Sequence, residues 1–438
     1  MPIWAEMLDN RIMKKQKKTL AEQLAARKTR KPPALIYLIL AFIWKCLYFR
    51  RLGVHITKKV DPKRYKGPYI VVSNHASRMD YIYTGLAFLP HRLNFVAGYN
   101  EFFRSHLAFV FRLLQVIPKR NFTPDLHTVK EIMRIIRAGG RIILFPEGMS
   151  SIGGNSQPCA IGGGKLLKKL GVPVLVCRIR GGYLTNTKYC LDERRGRVEV
   201  EVDELFSPDK LVSMTAEEIQ SALDAEIRND DYAWNKTARV AYEGNGRMAQ
   251  DLHTLLFKCP RCGEELRMKG EGDVIRCEAC GNGATLNAYY DLIPLDDTCV
   301  LPETPSAWWN WQREQVRARV ADPAFELREK VKLGTLPKYE YLKDQKTSEI
   351  TGEGEIVLDR DGFTFTGKNH GEDFTFHLTP GELPTYGMCT DVTRFYTFFR
   401  GEFYEFFPEK NTVALWLMAT EEIHRLTGGA WQDYPKAE

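Results

Sequence analysis

Hydrophobic and polar positions divide the chain into stretches of different rhythm. Between Tyr69 and Val202 short apolar runs alternate with segments of helical spacing. Tyr69-Ile70-Val71-Val72, Leu93-Asn94-Phe95-Val96-Ala97, Arg141-Ile142-Ile143-Leu144-Phe145 and Val172-Pro173-Val174-Leu175-Val176 have the apolar continuity of buried strands. Leu107 to Leu114 and Lys165 to Leu170 predict helices. So does the segment opening at Pro124-Asp125, with Leu126, Val129, Met133 and Ile136 on one face and Gly139-Gly140 as its stop. Arg197 to Val202 alternates as a half-exposed strand. Strands and helices in this order predict an α/β domain with a largely parallel sheet, its functional loops at the strand ends.

The rhythm changes on either side. Upstream, Ala34 to Trp44 is uninterruptedly apolar, and the character resumes after Lys45 through Cys46-Leu47-Tyr48-Phe49. This is short of the roughly 20 apolar residues of a bilayer-spanning helix. Pro32-Pro33 and the flanking cations fit a helix lying in a membrane interface, with Lys45 snorkelling; a buried core helix is the alternative. Downstream, Thr215 to Ile227 predicts an acidic amphipathic helix, and Arg247 to Phe257 a second one. Pro302, Pro305 and Ser306 open a helix carrying Trp308, Trp309 and Trp311, then Arg313, Arg317 and Arg319, suited to a membrane interface or to packing on a neighbouring domain. Gly334 to Gln345 reads as linker. Residues 346–438 alternate at period two, as in Phe363-Thr364-Phe365 and Phe395-Tyr396-Thr397-Phe398-Phe399, and close on a helix around Val413 to Leu426. Antiparallel strands with one terminal helix resemble a pleckstrin-homology (PH) or GRAM-like module, in architecture only.

Composition is globular, with 44% hydrophobic and 27% charged residues, and 438 residues imply several domains. The net charge of +7 is unevenly placed. Arg11, Lys14, Lys15, Lys17, Lys18, Arg27, Lys28, Arg30 and Lys31 crowd one segment whose acid is Glu22, a pattern suited to anionic lipid headgroups or nucleic acid. The adjoining apolar run favours an anionic membrane surface, and no nucleic-acid partner is expected. The basic stretch is too long for a signal peptide and no small-residue cleavage site follows. Six scattered cysteines without a secretion signal argue for a reducing compartment, placing the protein on the cytoplasmic side of a membrane, peripheral or monotopic.

Four cysteines form a motif of their own. Cys259-Pro260-Arg261-Cys262-Gly263 and Cys277-Glu278-Ala279-Cys280-Gly281 have the spacing of a four-thiolate zinc ribbon with no open coordination position, so a structural zinc is expected. His370, His377 and His424 have no ligand spacing.

The chemistry concentrates in Ser73-Asn74-His75-Ala76-Ser77-Arg78-Met79-Asp80, at the end of the first strand. Ser77-x-x-Asp80 ahead of Tyr81-Ile82-Tyr83 is a capping box, which predicts a helix starting with Ser77 as N-cap. On that reading alone Asp80 is a capping carboxylate and His75 a loop residue. The same geometry leaves His75 in the loop and Asp80 in the first turn, where the carboxylate can orient the imidazole. A base oriented by a third group suits acyl transfer to an alcohol.

These residues carry a resemblance. Asn74-His75-x-Ser77-x-x-Asp80, Val116-Ile117-Pro118-Lys119-Arg120, Phe145-Pro146-Glu147-Gly148 and Val172-Pro173-Val174 resemble the four ordered blocks of the glycerolipid acyltransferase family, which includes lysophosphatidic acid acyltransferases. The resemblance covers roughly residues 55 to 210. It implies His75 as catalytic base and Asp80 as its orienting acid. Asn74, Ser77, Lys119, Arg120, Glu147 and Gly148 would be substrate-binding: Arg120 with Lys119 on an anionic headgroup, Glu147 on glycerol hydroxyls or orienting Arg120, and Gly148 at the turn. The acyl donor would be acyl-CoA or acyl-ACP, an acyl carrier protein being a possible partner, and the acceptor a membrane lipid, first of all 1-acyl-glycerol-3-phosphate. Three departures stand out: Gln115 replaces a glycine, Met149-Ser150 replaces Thr-Arg, and Cys159 to Lys165 replaces a Phe-Lys-x-Gly segment. The triglycine Gly162-Gly163-Gly164 reads as a flexible turn or as an anion-binding helix start. The expected order is therefore a basic and hydrophobic membrane-associating segment (1–54), the acyltransferase domain (55–230), a helical linker (231–256), the zinc ribbon (257–290), a second helical linker (291–345) and the β-rich PH/GRAM-like domain (346–438). The missing cation at Ser150 motivates one alternative, an adaptor that has lost catalysis and binds lipid or protein through the ribbon and C-terminal module.

Overall fold

A computed structural model describes residues 18–49, 51–344 and 346–429; part of the basic cluster (Arg11, Lys14, Lys15 and Lys17) lies outside them. The α/β domain is built on five strands: β1 (Val54–Lys58), β2 (Tyr69–Ser73), β5 (Arg141–Leu144), β6 (Val174–Arg180) and β7 (Val198–Phe206), while β3 (Val96–Gly98) and β4 (Ile117–Lys119) form a separate parallel pair. The order is β1-β7-β6-β2-β5, parallel throughout except where β6 meets β7. β2 is buried at all five positions, as expected of a strand paired on both edges and covered on both faces. β7 alternates between buried and half-buried positions along its first half.

Local expectations and structure differ in instructive places. The helix Leu126–Arg137 starts after its N-cap Asp125, but Leu126 lies in its first turn and is exposed; Thr128, Glu131, Ile132, Ile135 and Ile136 face the sheet. The segment Arg247 to Phe257 forms only one short turn, Leu252–Thr254. Asp251 there takes a left-handed conformation (φ 62°), which breaks a continuous helix.

The apolar N-terminal segment forms the helix Ala34–Trp44. Only Tyr37 and Ala41 are buried, whereas Leu35, Leu38, Ile39, Phe42, Ile43 and, just beyond, Leu47 are exposed. Among the described residues no helix is long and apolar enough to cross a membrane. Part of the basic segment is fastened to the domain. The Thr29 N–H donates to Glu131 Oε2 (2.7 Å), and Arg27 donates to the Phe111 carbonyl. Lys28, Arg30 and Lys31 stay exposed beside the apolar face.

Beyond the α/β domain, β8 (Met268–Glu271), β9 (Val274–Cys277), β10 (Gly283–Leu286) and β11 (Leu292–Pro294) form a four-stranded antiparallel ribbon. The C-terminal region is a seven-stranded antiparallel sheet ordered β15-β14-β13-β12-β18-β17-β16, followed by the helix Val413–Leu426. Its strands are β12 (Leu327–Thr335), β13 (Glu349–Asp359), β14 (Gly362–Asn369), β15 (Glu372–Leu378), β16 (Gly387–Met388), β17 (Phe395–Phe399) and β18 (Glu402–Pro408). β12 lies within the segment expected as helical linker, and its end takes in Gly334 and Thr335. The rest of the expected linker 334–345 is also attached: Leu342 is buried and exchanges backbone hydrogen bonds with Phe103 and Ser105.

The tryptophan helix Pro305–Val320 packs inward. Trp308 and Trp309 are fully buried, and Gly153 of the α/β domain lies so close to the Trp309 ring that a Cβ there would sit 2.5 Å from it. Arg313 pairs with Glu421 (2.8 Å) and Glu422 (3.5 Å), and Arg317 with Glu422 (2.8 Å), joining this helix to Val413–Leu426. One apolar core therefore runs from Met149, Tyr183 and Tyr232 through the ribbon to Trp308, Phe363 and Trp416.

Candidate active site

The loop after β2 is held by its own polar side chains. Asn74 Nδ2 donates to the Ile179 carbonyl and Asn74 Oδ1 accepts the Ile179 N–H, each at 2.8 Å, so its amide fixes the end of β2 against β6. His75 follows. Its Nδ1 lies 2.8 Å from Asp80 Oδ2, the Asp80 side chain is wholly buried, and the imidazole remains 24% exposed. With Nδ1–H given to the carboxylate, Nε2 is the free basic nitrogen, and among the described residues it has no hydrogen-bond partner. The ring stacks on Phe145 at 4.5 Å between centroids.

The helix begins at Asp80, not just after Ser77, and its N-cap Met79 makes no side-chain cap bond. The Ser77–Asp80 pairing expected of the capping box still forms. The Ser77 N–H reaches both carboxylate oxygens (3.1 and 3.0 Å) and Ser77 Oγ–H donates to Oδ1 (3.0 Å). Those bonds fix the Asp80 carboxylate in place behind His75.

Glu147 enters from the end of β5. Its Oε1 accepts the His75 N–H at 2.6 Å and its Oε2 the Gln157 N–H at 2.8 Å, while the Ser151 N–H donates to the His75 carbonyl at 2.7 Å. Burial pushes the Glu147 carboxyl up to about 8, Asp80 adding to it and the two N–H donors opposing. Gly148 turns the chain at φ 75°, and a Cβ there would lie 3.3 Å from Phe122.

These contacts revise three expected roles. Asn74, Ser77 and Glu147 are buried and hydrogen-bonded to Ile179, Asp80 and the His75 backbone respectively, so these polar atoms are spent within the protein around the His75 loop. Lys119 and Arg120 stand at the end of β4, apart from this network. The Arg120 guanidinium lies 4.8 Å from the Tyr99 ring centre, and its Nε is buried with no partner among the described residues. Burial lowers the Lys119 pKa. The triglycine serves packing: Gly162 is a left-handed N-cap, and a Cβ on Gly164 would lie 2.1 Å from the Ala216 carbonyl oxygen.

Two residues packed on the loops around His75 have no counterpart in the sequence expectations. Asp231, from the helix Asp231–Ala238, accepts the Gly181 N–H (2.9 Å), the Tyr183 N–H (2.8 Å) and Asn229 Nδ2–H (2.7 Å). Burial raises its pKa to about 6. It lines, with His75, Glu147, Ser151 and Asn155, a small cleft. Lys188 donates to Ser150 Oγ (3.1 Å) on the loop after Glu147. Neither has a local sequence signature, because each meets the base only through the tertiary fold.

Away from this site, Cys259, Cys262, Cys277 and Cys280 bring four Sγ atoms within 4.8 Å of one another. Cys259–Cys280 (3.6 Å) and Cys262–Cys277 (3.8 Å) are spaced as thiolates sharing one tetrahedral ion at metal–sulfur distances of about 2.3 Å. Asn282 Nδ2–H points at Cys259 Sγ (3.6 Å), an outer-shell donor of the kind metal thiolates use.

Residues 51–180, which carry this oriented imidazole at the end of a parallel strand, match the acyltransferase family model. Over 116 residues the chain is 29% identical to a chloroplastic 1-acyl-sn-glycerol-3-phosphate acyltransferase of Brassica napus. That match takes in 26% of this chain and 33% of the relative, so the chain spans about a third of the length of the curated relative it matches. The crystal structure of the 1-acyl-sn-glycerophosphate acyltransferase PlsC from Thermotoga maritima aligns over 46% of this chain and 80% of that one, with 20% identity and a TM-score of 0.39.

Proposed function

We propose that this protein transfers a fatty acyl group from an acyl thioester, carried on CoA or acyl carrier protein, to the free hydroxyl of a lysophospholipid, with 1-acyl-glycerol-3-phosphate as first acceptor. The observation that carries the reading is the 2.8 Å contact between His75 Nδ1 and the buried Asp80 carboxylate. In this mechanism His75 Nε2 takes the proton from the acceptor hydroxyl as that oxygen attacks the thioester carbonyl carbon. The tetrahedral intermediate collapses with loss of the C–S bond, and the imidazolium returns its proton to the departing thiolate. Asp80 holds the tautomer and offsets the imidazolium charge. General base assistance of this kind contributes about 10² to 10⁴ in rate. Arg120, whose Nε is buried with no partner among the described residues, and Lys119 beside it at the end of β4 are assigned to an anionic part of the substrate.

Three further assignments belong to the same reading. The four cysteines hold one structural zinc, which supplies no chemistry to the transfer. The exposed face of Ala34–Trp44, flanked by Lys28, Arg30 and Lys31, lies on the cytoplasmic surface of an anionic membrane and delivers the lipid acceptor without spanning the bilayer. The C-terminal sheet with its closing helix is read as PH/GRAM-like. The test is a panel of lysophospholipid acceptors against acyl-CoA and acyl-ACP donors, with His75→Ala alongside. We expect one donor–acceptor pair to turn over and His75→Ala to abolish it while zinc content and circular dichroism stay unchanged. Normal turnover by His75→Ala sinks the mechanism. No turnover of any pair, with liposome binding retained, leaves the adaptor.

A further inference from the structure

Lys188 is an ammonium in an unusual place. It is only 6% exposed, and it sits in the loop between the helix Gly182–Thr185 and β7, not in any of the motif blocks. Its hydrogen-bond partner is Ser150 Oγ, a neutral hydroxyl, and among the described residues no carboxylate lies within ion-pair distance. An ammonium has three protons to give, so a single hydroxyl leaves it under-satisfied.

The groups whose charge reaches it are Cys389, Arg78, Asp391 and Glu101. None of them neutralises it. The Cys389 thiol is pushed up by burial to about 12 and stays uncharged. Asp391 is held by Cys389, Thr393 and Arg394, the last at 3.1 Å. Glu101 is held by Asn100 and by Arg104, both at 2.9 Å. Arg78 is a second cation, and a half-buried one. Its Nη2 donates to the Leu191 carbonyl, but its Nη1 is buried with no partner among the described residues.

Both cations sit on segments tied to the His75 loop. Arg78 belongs to the loop between His75 and Asp80, and the residue after Ser150 donates its N–H to the His75 carbonyl. The far wall comes from the C-terminal sheet, where the N–H of Met388 in β16 meets Met149 Sδ at 3.4 Å. Buried charges in folded proteins are paired or bind a counter-ion, because desolvating a lone ion is expensive. Lys188 with its single hydroxyl partner and the unpartnered Arg78 Nη1 are donors an anion could use, the carboxylates whose charge already reaches Arg78 being Glu193 and Asp192.

We infer that Lys188 and Arg78 form an anion-binding site for a phosphate of one of the two substrates, with Ser150 Oγ as hydroxyl partner. The inference rests on the acyl-transfer reading above. Phosphate oxygens come from two sources here: the headgroup of a lysophospholipid acceptor and the nucleotide or phosphopantetheine of the donor. In either case Lys188 supplies positive charge at Ser150, where the sequence lacks a cation.

The test is equilibrium binding to the full chain, by titration calorimetry, of lysophosphatidic acid, CoA and, as a phosphate-free control, monoacylglycerol. Lys188→Gln is expected to weaken at least one phosphate-bearing ligand about tenfold or more and to leave monoacylglycerol unchanged, with Lys188→Arg restoring the affinity. Ser150→Asp places a carboxylate beside the ammonium and is expected to cost the same ligand the same affinity without removing the cation. Loss for lysophosphatidic acid alone assigns the site to the acceptor, and loss for CoA alone assigns it to the donor. Wild-type affinity of Lys188→Gln for both phosphate ligands overturns the inference, as does an equal loss for monoacylglycerol or a wild-type chain that binds neither phosphate ligand. Should Lys188→Gln lose its fold by circular dichroism, Ser150→Asp decides, wild-type affinity there being fatal. Unchanged affinities in an enzyme that still transfers acyl groups refute this site alone, whereas failure of transfer by the wild type refutes the parent reading.

Discussion

Asp80→Asn changes one atom of the proposed catalytic pair and separates orientation of the base from stability of the fold. In the native site Oδ1 accepts from Ser77 N–H and Ser77 Oγ–H, while Oδ2 faces His75 Nδ1 and shares the Ser77 N–H. An asparagine that keeps the Ser77 bonds on its oxygen must present its NH₂ to Nδ1. An N–H donor there forces Nδ1 to accept, which moves the imidazole proton to Nε2 and removes the base from the substrate side. The alternative rotamer points NH₂ at two donors and is disfavoured. The expected loss is that of general base catalysis, about 10² to 10⁴ in kcat, or roughly 3–5 kcal/mol of barrier. Folding should change little, since a buried amide is cheaper to desolvate than a carboxylate and one oxygen keeps its donors. Asp80→Ala is the contrast: it strands Ser77 N–H, Ser77 Oγ–H and His75 Nδ1–H, at about 1–3 kcal/mol for each buried group left unpaired. The assay is thiol release from acyl-CoA with saturating lysophosphatidic acid, with urea unfolding run in parallel. An Asp80→Asn protein whose kcat stays within tenfold of wild type refutes the assignment of His75 Nε2 as base.

Three further outcomes follow from the geometry. Stripping metal with a chelator, or Cys262→Ser, is expected to unfold the ribbon and red-shift tryptophan emission, because Trp308 Nε1–H donates to the Lys258 carbonyl beside the first knuckle (2.9 Å); an unchanged spectrum with zinc gone would remove the structural role. Leu35→Asp with Phe42→Asp, at positions 71% and 68% exposed, should lower cosedimentation with anionic liposomes at least tenfold while leaving the melting temperature in place. The Glu147 carboxyl has its folded pKa raised to about 8 from 4.5, so its contribution to stability is full below about pH 4.5 and is lost as pH rises to 8. Measured against Glu147→Gln by urea midpoints, the wild type should lose up to about 1.4 kcal/mol per pH unit across that window, and a constant gap between the two proteins contradicts the burial argument.

The parts legible in the sequence were those written in local spacing. His75 and Asp80 read as a pair because a strand end and a helix start lie five residues apart, and the four cysteines because two short knuckles fix their own geometry. The tryptophan stripe left two environments open, and the buried Arg313–Glu421 pair decides for packing; Glu421 lies more than a hundred residues along the chain. The exposure of Leu126 was not legible, since helical spacing defines a face but not where along the helix the sheet begins. β12 was hidden for a similar reason: Leu327 to Thr335 carries little apolar alternation, and its partners β13 and β18 supply the pairing. The substrate roles of Asn74 and Glu147 rest on the family resemblance alone, which does not show what their side chains bond to. Here their partners are backbone groups of distant segments. Lys188 and Asp231 are single polar residues in unremarkable surroundings, visible only after folding sets Asp231 in the cleft with His75 and Lys188 on Ser150.

The core that runs from Tyr183 and Tyr232 through the ribbon to Trp416 has a consequence for how the chain can be cut. Arg194, 1% exposed, is bonded to Tyr189 on one side and Tyr290 on the other, so the catalytic and ribbon segments share a single polar rivet as well as a hydrophobic seam. Such a chain should melt in one transition, and a fragment ending near residue 250 would expose an aromatic surface meant to be covered. The modules read along the sequence as beads; in the folded protein they are facets of one body, and none can be exchanged for a homologue's without recutting its neighbours.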